Sequence, residues 1–188
     1  AVTFTLIGEF RNMLLFSALL TGLLLLTRQW RQAIFAGSTL LCTALGNTAT
    51  KHFFARVRPE VLSDPLTSYS MPSGHASGSF ALFLTLAVLA GRGQPPRMRL
   101  TWLLLGCLPA LAIALSRVYL GAHWPTDVLA GAMLAACVCA ASLWLNQRPA
   151  PLNAMPTKVW WLVLPAMVAL FGFFALRHLP HAMLRYAY

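Results

Sequence analysis

Two histidines, three cationic side chains, a serine–glycine pair and an aspartate stand at the ends of apolar runs in this chain. Residues of those types can move a phosphoryl group. They fall in three short patches. "KHFFARVRP" carries Lys51 and Arg58, "PSGH" carries Ser73, Gly74 and His75, and "SRVYLGAHWPTD" carries Arg117, His123 and Asp127. A lysine and two arginines can neutralise a dianion, and planar guanidinium forks match phosphate oxygens. A Ser-Gly turn ahead of a helix presents a hydroxyl and backbone N–H groups, which together make an anion cradle. Two histidines allow one nucleophile and one proton donor. Asp127 follows His123 by four residues. A helix beginning at Pro125 or slightly before therefore brings the carboxylate near the imidazole, where it can fix the tautomer and stabilise the imidazolium. The chemistry that fits is phosphoryl transfer by in-line attack, with positioning and charge stabilisation carrying most of the catalysis.

The elements that must position these patches are membrane helices. The chain is 59% apolar and 10% charged, where a soluble domain is about 45–50% apolar and about 25% charged. Its mean hydropathy is +0.69. The expected fold is all-α, a polytopic transmembrane helix bundle with about six membrane segments, near residues 13–26, 33–54, 76–90, 100–115, 126–145 and 159–176. The first segment is short for a span unless the preceding "AVTFTLIG" contributes. One membrane-embedded domain over residues 1–188 is expected, with a motif-bearing core at about 33–145 and an extra C-terminal helix at about 158–177. The start at Ala1 rather than Met fits a processed form or the end of a longer polypeptide with an upstream domain.

The net charge of +10 does not point to nucleic acid, because the basic residues are scattered singly between apolar runs with no cluster or stripe. Basic loops orient a polytopic membrane protein. Seven basic residues lie on the side opposite the patches and seven on the patch side. Setting aside Lys51, Arg58 and Arg117 as site residues makes the tally seven against four, which places the patches on the outer face. All four acidic residues, Glu9, Glu60, Asp64 and Asp127, lie on that same side. Glu60 and Asp64 are expected in a solvated loop. The four cysteines, Cys42, Cys107, Cys137 and Cys139, fall inside apolar runs and read as small buried hydrophobes. Arg56, two residues before Arg58, reads equally as a phosphate contact or a headgroup contact, and Trp124 is a candidate to line the site.

The order Lys-x6-Arg-Pro, Pro-Ser-Gly-His, Ser-Arg-x5-His-x3-Asp, running from Lys51 to Asp127, resembles the three-part signature of the type-2 phosphatidic acid phosphatase superfamily, in its integral membrane lipid phosphatase branch. That resemblance implies that His123 is the nucleophile that forms a phosphohistidine, that Asp127 orients and activates it, and that His75 protonates the leaving group. It implies that Lys51, Arg58, Ser73, Gly74 and Arg117 bind the phosphate. It also implies metal-independent hydrolysis with no cofactor, and the patch side has no paired Asp/Glu cluster of the kind a magnesium site wants. Membrane members usually place this site at the outer face. They commonly carry two or three helices ahead of the Lys-Arg motif and few after the His-Asp motif. Here two apolar segments precede "RVRP" and an additional one, "VWWLVLPAMVALFGFFAL", follows. That departure bears on the substrate entrance more than on the chemistry.

The expected activity is hydrolysis of a lipid phosphate in a bacterial cytoplasmic membrane. Undecaprenyl pyrophosphate, phosphatidic acid and phosphatidylglycerol phosphate are the candidates, with a slight lean to the first. Two other readings fit the same residues. One is a lipid phosphotransferase that passes the phosphate to another lipid, and the other is a transporter or binder that only holds the anion.

Overall fold

The computed structural model of the chain describes residues 1–59 and 68–185, so Glu60 and Asp64 lie outside the described residues. Among the described residues the chain forms seven helices and no strand. They are α1 (Val2–Ile7), α2 (Phe10–Leu26), α3 (Trp30–Phe54), α4 (Gly74–Ala90), α5 (Pro96–Tyr119), α6 (Pro125–Gln147) and α7 (Thr157–Arg185). Helices α5, α6 and α7 are long and apolar enough to cross a membrane, and α2 and α4 are shorter apolar helices of 17 residues each. Helix α3 is longer, at 25 residues, but carries polar side chains into the bundle. The chain is an all-helical integral membrane protein.

The expected first segment, 13–26, lies whole within α2. "AVTFTLIG" does not lengthen α2; it forms the separate six-residue α1, which stops at Gly8, and α2 starts anew after Glu9. The other helices extend past the expected segments into polar sequence. Thus α5 begins at Pro96 and α6 at Pro125, each with proline in the first turn, where its missing N–H costs nothing.

Helix α4 is the central element, packed by α2, α3, α5 and α6. After its polar first turns its sequence is largely apolar on every side, as suits a helix packed by others. The main apolar core joins Phe16, Leu20, Phe35, Leu89 and Val163, all nearly inaccessible. The buried hydroxyls of Thr39 and Thr43 in α3 donate to the carbonyls of Phe35 and Thr39 one turn back, so they add no unsatisfied group to the interior. Asn47 Nδ2 donates to Ser77 Oγ at 2.9 Å and links α3 to α4.

The two ends of the bundle differ. At one end the Arg31 guanidinium donates to the carbonyls of Asn146, Ala150 and Pro151, tying the start of α3 to the α6–α7 loop. At the other end converge the C-termini of α3 and α5 and the N-termini of α4 and α6, and all three chemical patches lie there. The cysteine expectation needs correcting. Cys139 is buried, whereas Cys42 and Cys137 are exposed on the flanks of α3 and α6. A lipid-facing flank asks only that a side chain be apolar, so an apolar run does not by itself mean burial in protein.

Candidate active site

The α5–α6 turn sets His123. Helix α5 ends at Tyr119, and Gly121 takes φ +64°, a left-handed conformation that glycine adopts without steric cost. The backbone then doubles back, so that Ala122 N and His123 N both donate to Arg117 O, at 3.0 and 3.3 Å. Helix α6 starts at Pro125, capped by a reciprocal pair of contacts between Trp124 and Asp127, with Trp124 N donating to Asp127 Oδ2 at 2.9 Å. The result is the expected pairing: His123 Nδ1 lies 3.6 Å from Asp127 Oδ2, with both side chains almost fully buried.

Arg58 settles the tautomer. Its Nη1 lies 3.1 Å from His123 Nε2. A guanidinium can only donate, so Nε2 must accept and the ring proton sits on Nδ1, facing Asp127. This leaves a lone pair on the nitrogen that faces the cavity. Arg58 is itself held by the carbonyls of Ser68 and Ala122, both at 2.7 Å, and by Ser68 Oγ at 2.9 Å. Lys51 Nζ donates to Tyr69 O at 2.5 Å. Burial is the largest influence on His123 and pushes its pKa down to about 4. The bond to Asp127 works against that shift, while the charges of Arg58, Arg117 and Lys51 reinforce it.

The Ser-Gly turn lies beside this pair. Ser73 is fully buried; its N–H donates to Asp127 O at 2.9 Å, and its hydroxyl caps α4 by accepting from Ala76 N at 3.5 Å. Of the expected residues, Lys51, Arg58, Gly74, His75, Arg117 and His123 line one cavity of about 790 Å³. Ser73 and Asp127 sit behind that surface and support it. From its cationic end the cavity continues between α2 and α3, along Met13, Leu14, Ala18, Leu40 and Leu41. Among the described residues no group of three His, Cys, Asp or Glu could hold a metal ion.

Two further residues belong to this network. The Ser70 hydroxyl makes a very short hydrogen bond to Asp127 Oδ2 and lies 3.4 Å from His123 Nδ1. Arg56 Nη1 donates to Asp127 Oδ1 at 3.0 Å and to Thr126 Oγ1 at 2.6 Å, and its guanidinium lies over the Trp124 ring. Arg56 therefore holds the carboxylate that lies beside the histidine. Trp124 lies outside the cavity lining and donates through Nε1 to Val57 O at 3.2 Å. The available signal for Ser70 was its place three residues before Ser73, a hydroxyl on the turn feeding the cradle. For Arg56 it was a second arginine beside Arg58.

The PAP2 superfamily is matched over residues 31–151. The chain is similar to an undecaprenyl-diphosphatase of Sulfolobus acidocaldarius, 35% identical over 61% of this chain and 55% of that protein. It is also similar to phosphatidylglycerophosphatase B of Bacillus subtilis, 33% identical over 45% of this chain and 43% of that one. The chain thus spans about half the length of these curated relatives. In fold it is similar to the crystal structure of a transmembrane PAP2 type phosphatidylglycerolphosphate phosphatase from Bacillus subtilis. The TM-score is 0.65 at 23% identity, covering 77% of this chain and 74% of that one.

Proposed function

Because the chain belongs to the PAP2 superfamily, we propose that it removes a phosphate group from a membrane lipid through a phosphohistidine on His123. The observation that carries this reading is the continuity of the cavity. Its cationic end suits a phosphate, and its apolar arm suits a hydrocarbon tail. From Lys51 to Gly37 the arm follows α3 for 14 residues, about 21 Å at the helical rise per residue. Leu14 and Leu41 line it and are exposed on its outer side, so a lipid would enter between α2 and α3.

In this reading Lys51, Arg58 and Arg117 neutralise the phosphate, and the first N–H groups of α4 at Gly74 and His75 complete the cradle behind the Ser73 cap. Arg58 leaves His123 Nε2 for the phosphate oxygens as the substrate arrives. Nε2 then attacks phosphorus, the bond to the lipid oxygen breaks, and His75 gives that oxygen a proton. The Nδ1 proton stays between His123, Asp127 and Ser70 and stabilises the phosphoimidazolium. Water attacks next, His75 takes its proton, and the P–N bond breaks to release orthophosphate. No step calls for a metal or cofactor. The whole chain 1–188 works as one membrane-embedded unit, with α2 to α7 crossing the bilayer. The site faces outward from a bacterial cytoplasmic membrane, supported by the seven-to-four tally of basic residues once the site residues are set aside.

The test is phosphate release by purified protein from undecaprenyl pyrophosphate, phosphatidic acid and phosphatidylglycerol phosphate. The pyrophosphate comes first, because a relative bears that activity in its name. Brisk turnover of phosphatidic acid with none of the pyrophosphate would overturn that order and leave the phosphatase reading standing. His123→Ala is expected to lower hydrolysis by several orders of magnitude. Near-full activity in that variant would refute the mechanism. Phosphate appearing on an added lipid acceptor instead of in solution would favour the transferase.

A further inference from the structure

The family match begins at residue 31, yet two residues far upstream of it press on the site. Thr5, in α1, accepts a hydrogen bond from Arg117 Nη1 at 2.6 Å, and both residues are 2% exposed. Gly8, at the bend between α1 and α2, lies against the ring of His75. A β-carbon there would stand 2.9 Å from His75 Cδ2 and 2.5 Å from Ile113 Cγ2. Thr5, Leu6, Glu9 and Phe10 line the same cavity as Arg117, His75 and His123. Helix α1 packs against α5, which carries Arg117, and against α7, which follows the matched region.

We propose that the α1–α2 bend is a supporting wall of the active site, with Thr5 a positioning residue that sets the Arg117 guanidinium and Gly8 the seat of the His75 ring. An arginine side chain has several rotatable bonds, and a phosphate-binding fork is useful only in one orientation. A short hydrogen bond at one Nη restrains the orientation of the whole guanidinium, because the group is rigid. With both residues 2% exposed, the bond is largely shielded from solvent. The Gly8 contact acts on the other reacting group. With no side chain at residue 8, the imidazole of the leaving-group acid rests directly on the backbone and cannot tilt that way.

This inference rests on the phosphatase reading, so each variant is compared with wild-type turnover in the same micelles. An inactive wild type would count against that reading. An active wild type with indifferent variants would count against this inference alone. Thr5→Val removes the hydroxyl at nearly constant volume, and Thr5→Ser restores it. Inhibition by inorganic phosphate reports on the cradle directly. Thr5→Val is expected to weaken that inhibition and raise KM by about ten- to a hundredfold, the range for a lost hydrogen bond to a charged group. Thr5→Ser should return both toward wild type. Should valine not fold, Thr5→Ala serves. In an Arg117→Ala background the Thr5 change should have no further effect on phosphate inhibition, whereas an equal loss with and without Arg117 would overturn the positioning role. Gly8→Ala should slow alkyl phosphates more than p-nitrophenyl phosphate, whose leaving group needs no proton. Equal slowing of both would overturn the seat for His75.

Discussion

The sharpest prediction concerns Gly131, one helical turn beyond Asp127 on α6. A β-carbon at this position would stand 2.7 Å from Ser73 O, 3.1 Å from Ala76 Cβ and 3.1 Å from Ser77 N. The nearest atom is backbone in the first turn of α4, where Ser77 N donates to Ser73 O at 3.0 Å, so no side-chain rotation relieves the clash. Ordinary contact begins at 3.4 Å, and α6 must therefore back away from α4 by about 0.7 Å. That displacement falls on the bond from Ser73 N to Asp127 O. It carries His123 and Asp127 away from the cradle formed by Gly74 and His75. A misplacement of about 1 Å costs roughly a hundredfold in rate, so Gly131→Ala should lower kcat about ten- to a hundredfold, equivalent to about 1.4–2.7 kcal/mol of barrier. Overpacking should also cost about 1–3 kcal/mol of stability. The sign is informative, because alanine is the better helix former by about 1 kcal/mol and would stabilise a helix with room to spare. Gly22 in α2 has nothing within 4 Å of such a β-carbon, so Gly22→Ala is the matched control and should keep full activity. Phosphate release and thermal unfolding in detergent, measured on both variants, decide the matter. A Gly131→Ala protein with a raised Tm and wild-type kcat would refute the close-approach argument.

The titration of His123 gives a second test. Burial and three nearby cations disfavour the imidazolium more than Asp127 favours it, so the neutral, nucleophilic form persists down to about pH 4. Histidine-labelled protein followed by NMR, with His123→Gln for assignment, should show that midpoint, and one at or above 6.5 would contradict the buried geometry. The two supports of Asp127 should differ in weight. Ser70→Ala deletes a buried hydrogen bond to a carboxylate and should lower kcat about ten- to a hundredfold. Arg56→Gln removes a contact whose arginine is 37% exposed and screened, so its effect on kcat should stay within about fivefold; the reverse order would show that the arginine is the main support.

What the sequence could convey about this molecule depended on how local the information was. The His123–Asp127 pairing was legible because both residues and the proline that starts α6 lie within five positions, so the entry into the helix and its first turn keep them close. The gathering of three patches at one end was legible because each borders an apolar run, and antiparallel helices return the chain to the same side of a membrane. The Thr5–Arg117 bond spans 112 residues and involves a threonine inside an apolar stretch, where a hydroxyl more often bonds its own helix. Arg56 and Ser70 lie in the link between α3 and α4, where no period constrains which way a side chain turns. The apolar arm was illegible for the opposite reason. Leu14, Leu40 and Leu41 are chemically identical to the leucines of the core, and only the packing of α2 beside α3 makes them a groove. Residue type therefore pointed to the proposed reaction, while the supports of the candidate site residues came from whichever element the bundle placed behind them. Those supports should accordingly tolerate different residues in different chains, provided that each replacement returns a donor to Asp127 and an acceptor to Arg117.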